Sequence, residues 1–154
     1  MDCITTTRFS IVLNGVAKGN IFPSRGLHQG CPLSPYLFLL CAEGFSALLA
    51  NAETEGSLMG FFCTRRSPRL SHLIFADDSS VFCRTILRDG ESILSLLHRY
   101  EQASGQTINM EKSIISFSPN VPQVDREILG QLFRIRQTQL HSVYLGLSSL
   151  IRAN

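Results

Sequence analysis

The sequence predicts an α+β fold around one hydrophobic core, and three observations carry that expectation. Apolar residues recur at helical spacing in three separate stretches, with short apolar runs of strand length between them and no strict alternation of the kind a parallel α/β sheet requires. Two turn signals, Asn14-Gly15 and Asp77-Asp78, lie between such runs and would fold them into hairpins. The apolar share of 44% over 154 residues suffices for one ordinary core, and no internal repeat or low-complexity tract divides the chain.

Arg8 to Leu13 and Val16 to Phe22 read as a hairpin closed by Asn14-Gly15, because that dipeptide accepts the positive φ values of a tight turn. Pro23 to Pro32 is a glycine- and proline-punctuated loop. Ser34 can then cap a helix whose first turn suits Pro35. The stripe Leu37, Leu40, Cys41, Phe45, Leu48, Leu49 and Ala52 predicts a helix packed by one face, with Gly56 at its stop. Leu70 to Ala76 and Ser79 to Arg84 read as strands around Asp77-Asp78. Asp89 is placed to cap a second helix with apolar positions Ile93, Leu94, Leu96, Leu97 and Tyr100, ended by Gly105. Ile108 and Ile114 to Phe117 read as strand. Ile128, Leu129, Leu132, Phe133 and Ile135 read as a third helix, and Tyr144 to Leu147 as a last short strand.

Composition excludes several classes. With 17% charged residues and a formal net charge of +2, the chain lacks the basic excess of a self-sufficient nucleic-acid binder, so polyanion binding has to be argued locally. Five cysteines, odd in number, widely spaced and never in a C-x-x-C pair, suggest reduced thiols rather than a disulfide framework or a zinc site. No charged and then apolar leader opens at Met1. The longest apolar segment, Tyr36 to Ala52, is interrupted by Glu43 and Gly44 and reads as short for a bilayer span. The expectation is a soluble, intracellular chain without a membrane partner.

Chemistry is concentrated at Ile74-Phe-Ala-Asp-Asp-Ser79, where two adjacent carboxylates occupy the most apolar hairpin. Turn sterics alone would accept Asn or Gly equally well. Two like charges so close call for screening, and Mg²⁺, usually held by one or two carboxylates plus substrate phosphates, is the natural cation. A solvated turn explains the pair as well on these residues alone. Upstream, Ser24 to Phe38 is a loop in which Gly26 and Gly30 would let backbone approach a ligand and Gln29 offers an amide. An ordinary loop before a helix would account for its glycines and prolines, but not for Gln29 between them.

Taken together, Arg25-Gly26-x-x-Gln29-Gly30-x-Pro32-Leu33-Ser34-Pro35-x-Leu37-Phe38 resembles motif B of LINE-type (non-LTR) reverse transcriptases, and Phe75-Ala76-Asp77-Asp78 resembles their motif C. Ser104-Gly105-Gln-Thr-Ile108-Asn109-Met-Glu-Lys112-Ser113 is similar to motif D, and Tyr144-Leu145-Gly146 to the short segment that follows it. The order of the four agrees with the family, and they cover the chain from about Arg8 onward. The resemblance implies a partial palm subdomain of a right-hand polymerase, an antiparallel sheet with helices packed on one face, and a single partial reverse transcriptase domain over residues 1–154. It also implies RNA-directed DNA polymerase (nucleotidyltransferase) chemistry by the two-metal route, with an RNA template, a DNA primer and dNTPs as partners. Asp77 would be the principal Mg²⁺ ligand and Asp78 would complete the pair. Arg25, Gly26, Gln29, Gly30 and Phe75 would contact template and nucleotide. Lys112 would lie near the triphosphate, or else be a solvated surface lysine.

Departures from the family pattern set further expectations. His28 and Cys31 stand where relatives usually carry arginine and aspartate. Motif A, which bears the third catalytic aspartate, precedes motif B in the family, and the only acid in Met1 to Phe22 is Asp2. The isolated chain is therefore expected not to polymerise DNA and to leave a sheet edge open, with poor solubility. Three readings stay open: a reverse transcriptase fragment, a non-catalytic RNA- or protein-binding remnant acting through Arg65, Arg66 and Arg69, and an unexpressed remnant.

Overall fold

The computed structural model describes residues 6–24, 26, 30–62, 64–138, 143–144 and 147–148. Among them are ten strands and three helices in mixed order, an α+β composition as expected. The chain forms two compact units, Met1–Phe38 and Leu39–Asn154.

In the first unit, β1 (Phe9–Leu13) pairs antiparallel with β2 (Val16–Ile21). Asn14 and Gly15 close the turn at φ 50° and 78°, the pair of left-handed conformations that a two-residue hairpin loop of this kind needs. The register runs Leu13↔Val16, Val12↔Ala17, Ile11↔Lys18 and then Phe9↔Ile21, so β2 carries one extra residue. Gly19, at φ 76°, absorbs that bulge.

The second unit owes its core to helical spacing. In α1 (Ser34–Thr54), Phe45, Leu49 and Ala52 recur at i, i+4 and i+7; in α2 (Leu87–Ser104), Ile93 and Leu96 share a face at i and i+3. These five and Leu58 form one buried cluster, with Ile74, Val81, Tyr100 and Phe133 packed against it. The Phe45 and Tyr100 rings meet at 4.6 Å between centroids, inside the range of favourable aromatic pairs. Leu40, at 69% exposure, departs from the predicted stripe, whereas Leu37 and Cys41 are half-buried. By length and composition α1 is in fact long and apolar enough to cross a membrane, with a mean hydropathy of 1.3, contrary to the expectation from its interruptions. Phe45, Leu49 and Ala52 of this helix are buried in the core, while only 17% of its apolar window is buried.

Helix ends follow glycine where the sequence placed it. Gly56 (φ 72°) and Ser57 donate to the carbonyls of Glu53 (3.1 Å) and Ala52 (3.0 Å), a Schellman closure of α1. Gly105 (φ 70°) ends α2 with a bond to the Glu101 carbonyl at 2.9 Å. The third helix, α3 (Gln123–Phe133), stops at Arg134 in the same left-handed conformation, so Ile135 lies outside the helix predicted to contain it.

The strands form five two-stranded ladders rather than one sheet. β3 (Phe61–Phe62) pairs with β4 (Arg69–Leu70), and β5 (His72–Phe75) with β6 (Asp78–Val81), all antiparallel. Leu70 to Ala76 was expected to be one strand; buried Ser71 divides it, its carbonyl accepting from the Phe82 amide at 2.8 Å and extending the β5–β6 ladder. β7 (Ile114–Ser116) and β8 (Arg136–Thr138) pair in parallel across α3, a βαβ connection the sequence reading lacked. β9 (Val143–Tyr144) and β10 (Leu147–Ser148) form a hairpin where one strand was expected, with Leu145 and Gly146 outside the described residues. Ile108 is not in a strand, because its amide bonds the Glu101 carboxylate (2.7 Å) just beyond the end of α2.

Candidate functional site

The carboxylate pair lies on the β5–β6 hairpin, and its placement follows from the ladder behind it. His72 faces Val81, Leu73 faces Ser80, Ile74 faces Ser79 and Phe75 faces Asp78. Counting forward from His72 closes the turn at Ala76-Asp77, one residue earlier than the Asp77-Asp78 turn read from sequence. Asp77 therefore occupies the turn and Asp78 opens β6. Ala76 adopts φ 49°, where a Cβ costs about 1–2 kcal/mol.

Side chains alternate across this ribbon. Ile74 and Val81 pack on the helical core. Leu73, Phe75 and Asp78 are on the other face and exposed, Phe75 to 61%. Both aspartates are exposed, and neither carboxylate has a hydrogen-bond or ion-pair partner among the described residues. Two free, adjacent carboxylates are an oxygen donor set suited to a hard cation that keeps water or phosphate in its remaining positions. Among the described residues no group of three or more His, Cys, Asp or Glu side chains could hold a metal, so the pair has no third protein ligand there.

Two contacts hold the hairpin from behind, and the sequence reading missed both. The His72 ring is hydrogen-bonded to Ser71 Oγ at 3.0 Å through Nδ1 and to Ser46 Oγ at 2.8 Å through Nε2, tying β5 to α1. No local signal exposes a contact between residues 26 positions apart. Beyond β6, Arg84 grips Asp89 through Nε (3.0 Å) and Nη2 (2.8 Å). Asp89 is fully buried and sits in the first turn of α2 after Ile86, the N-cap residue, so it anchors an arginine instead of capping the helix. The opposite charges five residues apart at a helix start were the available signal. Hydrogen bonding to Asp89 raises the Arg84 guanidinium above its ordinary value. Between strand and clamp, burial and then the negative charge of Asp89 push the Cys83 thiol up to about 11 against the opposing pull of Arg84, so it is inert near neutrality.

The other predicted site residues are distributed. Gly26 and Gly30 belong to the first unit and adopt φ 87° and 84°, conformations that favour glycine. Arg25 and Gln29, with His28, lie outside the described residues. Lys112 is exposed on the turn made by Asn109, whose Oδ1 accepts from the Lys112 amide at 3.1 Å, and it forms no ion pair with either aspartate among the described residues. A cleft of about 410 Å³ between α1 and α2 is lined by Glu55, Arg88, Glu91 and Arg99 and includes none of the predicted site residues.

The family model for reverse transcriptase (RNA-dependent DNA polymerase) matches residues 2–148. An uncharacterized mitochondrial protein of Arabidopsis thaliana is 52% identical over 69 residues, which are 45% of this chain and 57% of that protein. A retrovirus-related Pol polyprotein from the type-1 retrotransposable element R2 of Popillia japonica is 31% identical over 112 residues, 73% of this chain and 17% of the polyprotein. The chain thus spans little more than half of the first relative and about a sixth of the second. No solved structure matches.

Proposed function

Because the chain belongs to the reverse transcriptase (RNA-dependent DNA polymerase) family, we propose that it is a partial palm domain of a non-LTR retrotransposon enzyme whose Asp77 and Asp78 hold catalytic Mg²⁺. The observation that carries this reading is the pair of free, exposed carboxylates presented by a strained turn, in a chain whose motifs follow the family's order. The match across residues 2–148 supports one partial domain, and the packing of Ile74 and Val81 on helices, with Phe75 and Asp78 turned away, supports the palm arrangement.

In the intact enzyme, bound Mg²⁺ would activate the primer hydroxyl and offset charge on the transferring phosphoryl group. Asp77 would be its principal ligand, and Asp78 would add the second negative charge from the strand beside it. Phe75 offers an apolar surface next to Asp78 on the same face. Arg25, Gly26, Gln29 and Gly30 would shape the pocket for template and incoming nucleotide, and Lys112 would supply positive charge toward the leaving group. RNA template, DNA primer and dNTPs are the corresponding partners. Among the described residues only these two carboxylates meet, short of the set that bridges two metals, so the isolated chain is expected not to extend a primer.

The test is paramagnetic: Mn²⁺, added as a stand-in for Mg²⁺, should broaden the amide signals of residues 75–79 selectively, and Asp77→Asn should abolish the effect. Uniform or absent broadening would sink the metal assignment. Primer extension on an RNA template by the chain, lost in Asp77→Ala, would overturn the inactivity.

A further inference from the structure

The β3–β4 hairpin carries a surface that neither the carboxylate pair nor the family motifs use. From Ser57 to Ala76 the sequence contains no acidic residue, and Arg65, Arg66 and Arg69 fall within it. This stretch alone concentrates more positive charge than the +2 of the whole chain. All three arginines are exposed, and none is in an ion pair among the described residues. The turn between the strands is held by Ser67, whose amide donates to the Thr64 carbonyl at 3.2 Å and whose hydroxyl accepts from the Thr64 amide at 3.0 Å. Arg65 and Arg66 are therefore presented on an ordered turn.

Aromatic surface lies beside this charge. Phe62 faces Arg69 directly across the ladder, is 54% exposed, and has the Arg69 guanidinium 5.2 Å from its ring centroid. Phe61, on the opposite face of the ribbon, is anchored edge-on against Phe82 at 5.2 Å. Phe61 thus keeps a ring contact on one face at 44% exposure, and Phe62 is the more exposed ring on the other.

We propose that the β3–β4 hairpin is a binding platform for single-stranded nucleic acid, independent of the metal-binding carboxylates. Unpaired bases stack on exposed rings and on arginine planes, while guanidiniums neutralise the phosphates between them. Charge complementarity selects a polyanion, and the ring paired with a guanidinium selects one with unstacked bases over an acidic peptide or a duplex. This surface goes beyond the proposed polymerase chemistry, because it needs neither Asp77 nor a metal.

The experiment is fluorescence anisotropy of the 154-residue chain with a labelled oligouridylate, in EDTA across a salt series, so that failure of the metal assignment leaves this readout untouched. Arg65→Gln, Arg66→Gln and Arg69→Gln combined should lower the slope of log affinity against log salt by about 2, near 0.7 per lost phosphate contact. Phe62→Ala should weaken binding about 5- to 150-fold, the range for loss of one stacked base. Phe62→Trp should restore it, which separates stacking from damage to the fold. The proposal is overturned if the triple variant keeps the wild-type affinity and slope, if Phe62→Ala binds as wild type, or if polyglutamate or duplex RNA competes as well as unlabelled oligouridylate.

Discussion

Replacing Ala76 by glycine should stabilise this protein, the reverse of the usual sign for that change. Ala76 is the first of the two residues in the β5–β6 turn and adopts φ 49°. A left-handed conformation costs a residue with a Cβ about 1–2 kcal/mol. Glycine removes that strain but frees the unfolded chain, which returns about 0.4–1 kcal/mol. The difference favours Ala76→Gly by about 0.5–1 kcal/mol, whereas Ala76→Val, with a branched Cβ at the same φ, should lose more than about 1 kcal/mol. Urea denaturation with a shared slope reads both, and the expected order of midpoints is Gly above Ala above Val. An Ala76→Gly variant that is less stable than the parent would refute the reasoning, because the turn would then not be strained. The same variant separates stability from function. If strain at Ala76 holds Asp77 in place, Mn²⁺ affinity should fall even as the urea midpoint rises.

Three further outcomes follow from the packing. Leu49→Ala, at a fully buried position of the core, should cost about 2–5 kcal/mol, while Leu40→Ala on the same helix, at 69% exposure, should stay within about 0.5 kcal/mol; comparable losses at both would mean that α1 buries its other face in solution. Because the folded Cys83 thiol is pushed up to about 11 from 9.0, the folded state holds that proton more tightly than the unfolded chain does. Its stabilisation is full below pH 9 and declines between pH 9 and 11 by up to about 3 kcal/mol, so Cys83→Ala should flatten that limb of a stability–pH curve. Arg84→Ala strips a fully buried carboxylate of its partner and should lower the thermal midpoint, whereas the double change Arg84→Met with Asp89→Leu should recover much of the loss; no recovery would show that the pair matters for more than its buried charge.

How much of this was legible in the sequence depends on the range of each interaction. Asn14-Gly15, Gly56 and Gly105 were readable because each acts on its own backbone, and the structure finds all three in left-handed conformations. The helices were readable from spacing, but spacing does not say which apolar face is buried, and Leu37 and Leu40 were assigned with Leu49 although Leu40 is exposed. Asp89 shows a different limit. An acidic residue at a helix start fits a cap and an ion pair equally well from sequence, and only the position of Arg84 decides. The parallel β7–β8 pairing was missed because Arg136 to Thr138 is a polar run with no alternation to mark it.

The carboxylates themselves were legible as a pair, but not their setting, since the turn lies one residue earlier than the acids suggest. What fixes it is the far end of the ribbon. The Phe82 amide on the Ser71 carbonyl and the His72 bonds to Ser46 and Ser71 set the pairing, and every register position up to Phe75↔Asp78 follows by counting. Slipping β6 by one residue would send Asp78 toward the apolar core and turn Val81 out to solvent, an exchange disfavoured at both positions. His72 and Ser71 thus touch no substrate in the proposed chemistry, yet they determine which face presents Asp78. A sequence scan that weighs only residues able to bind metal or phosphate will pass over both.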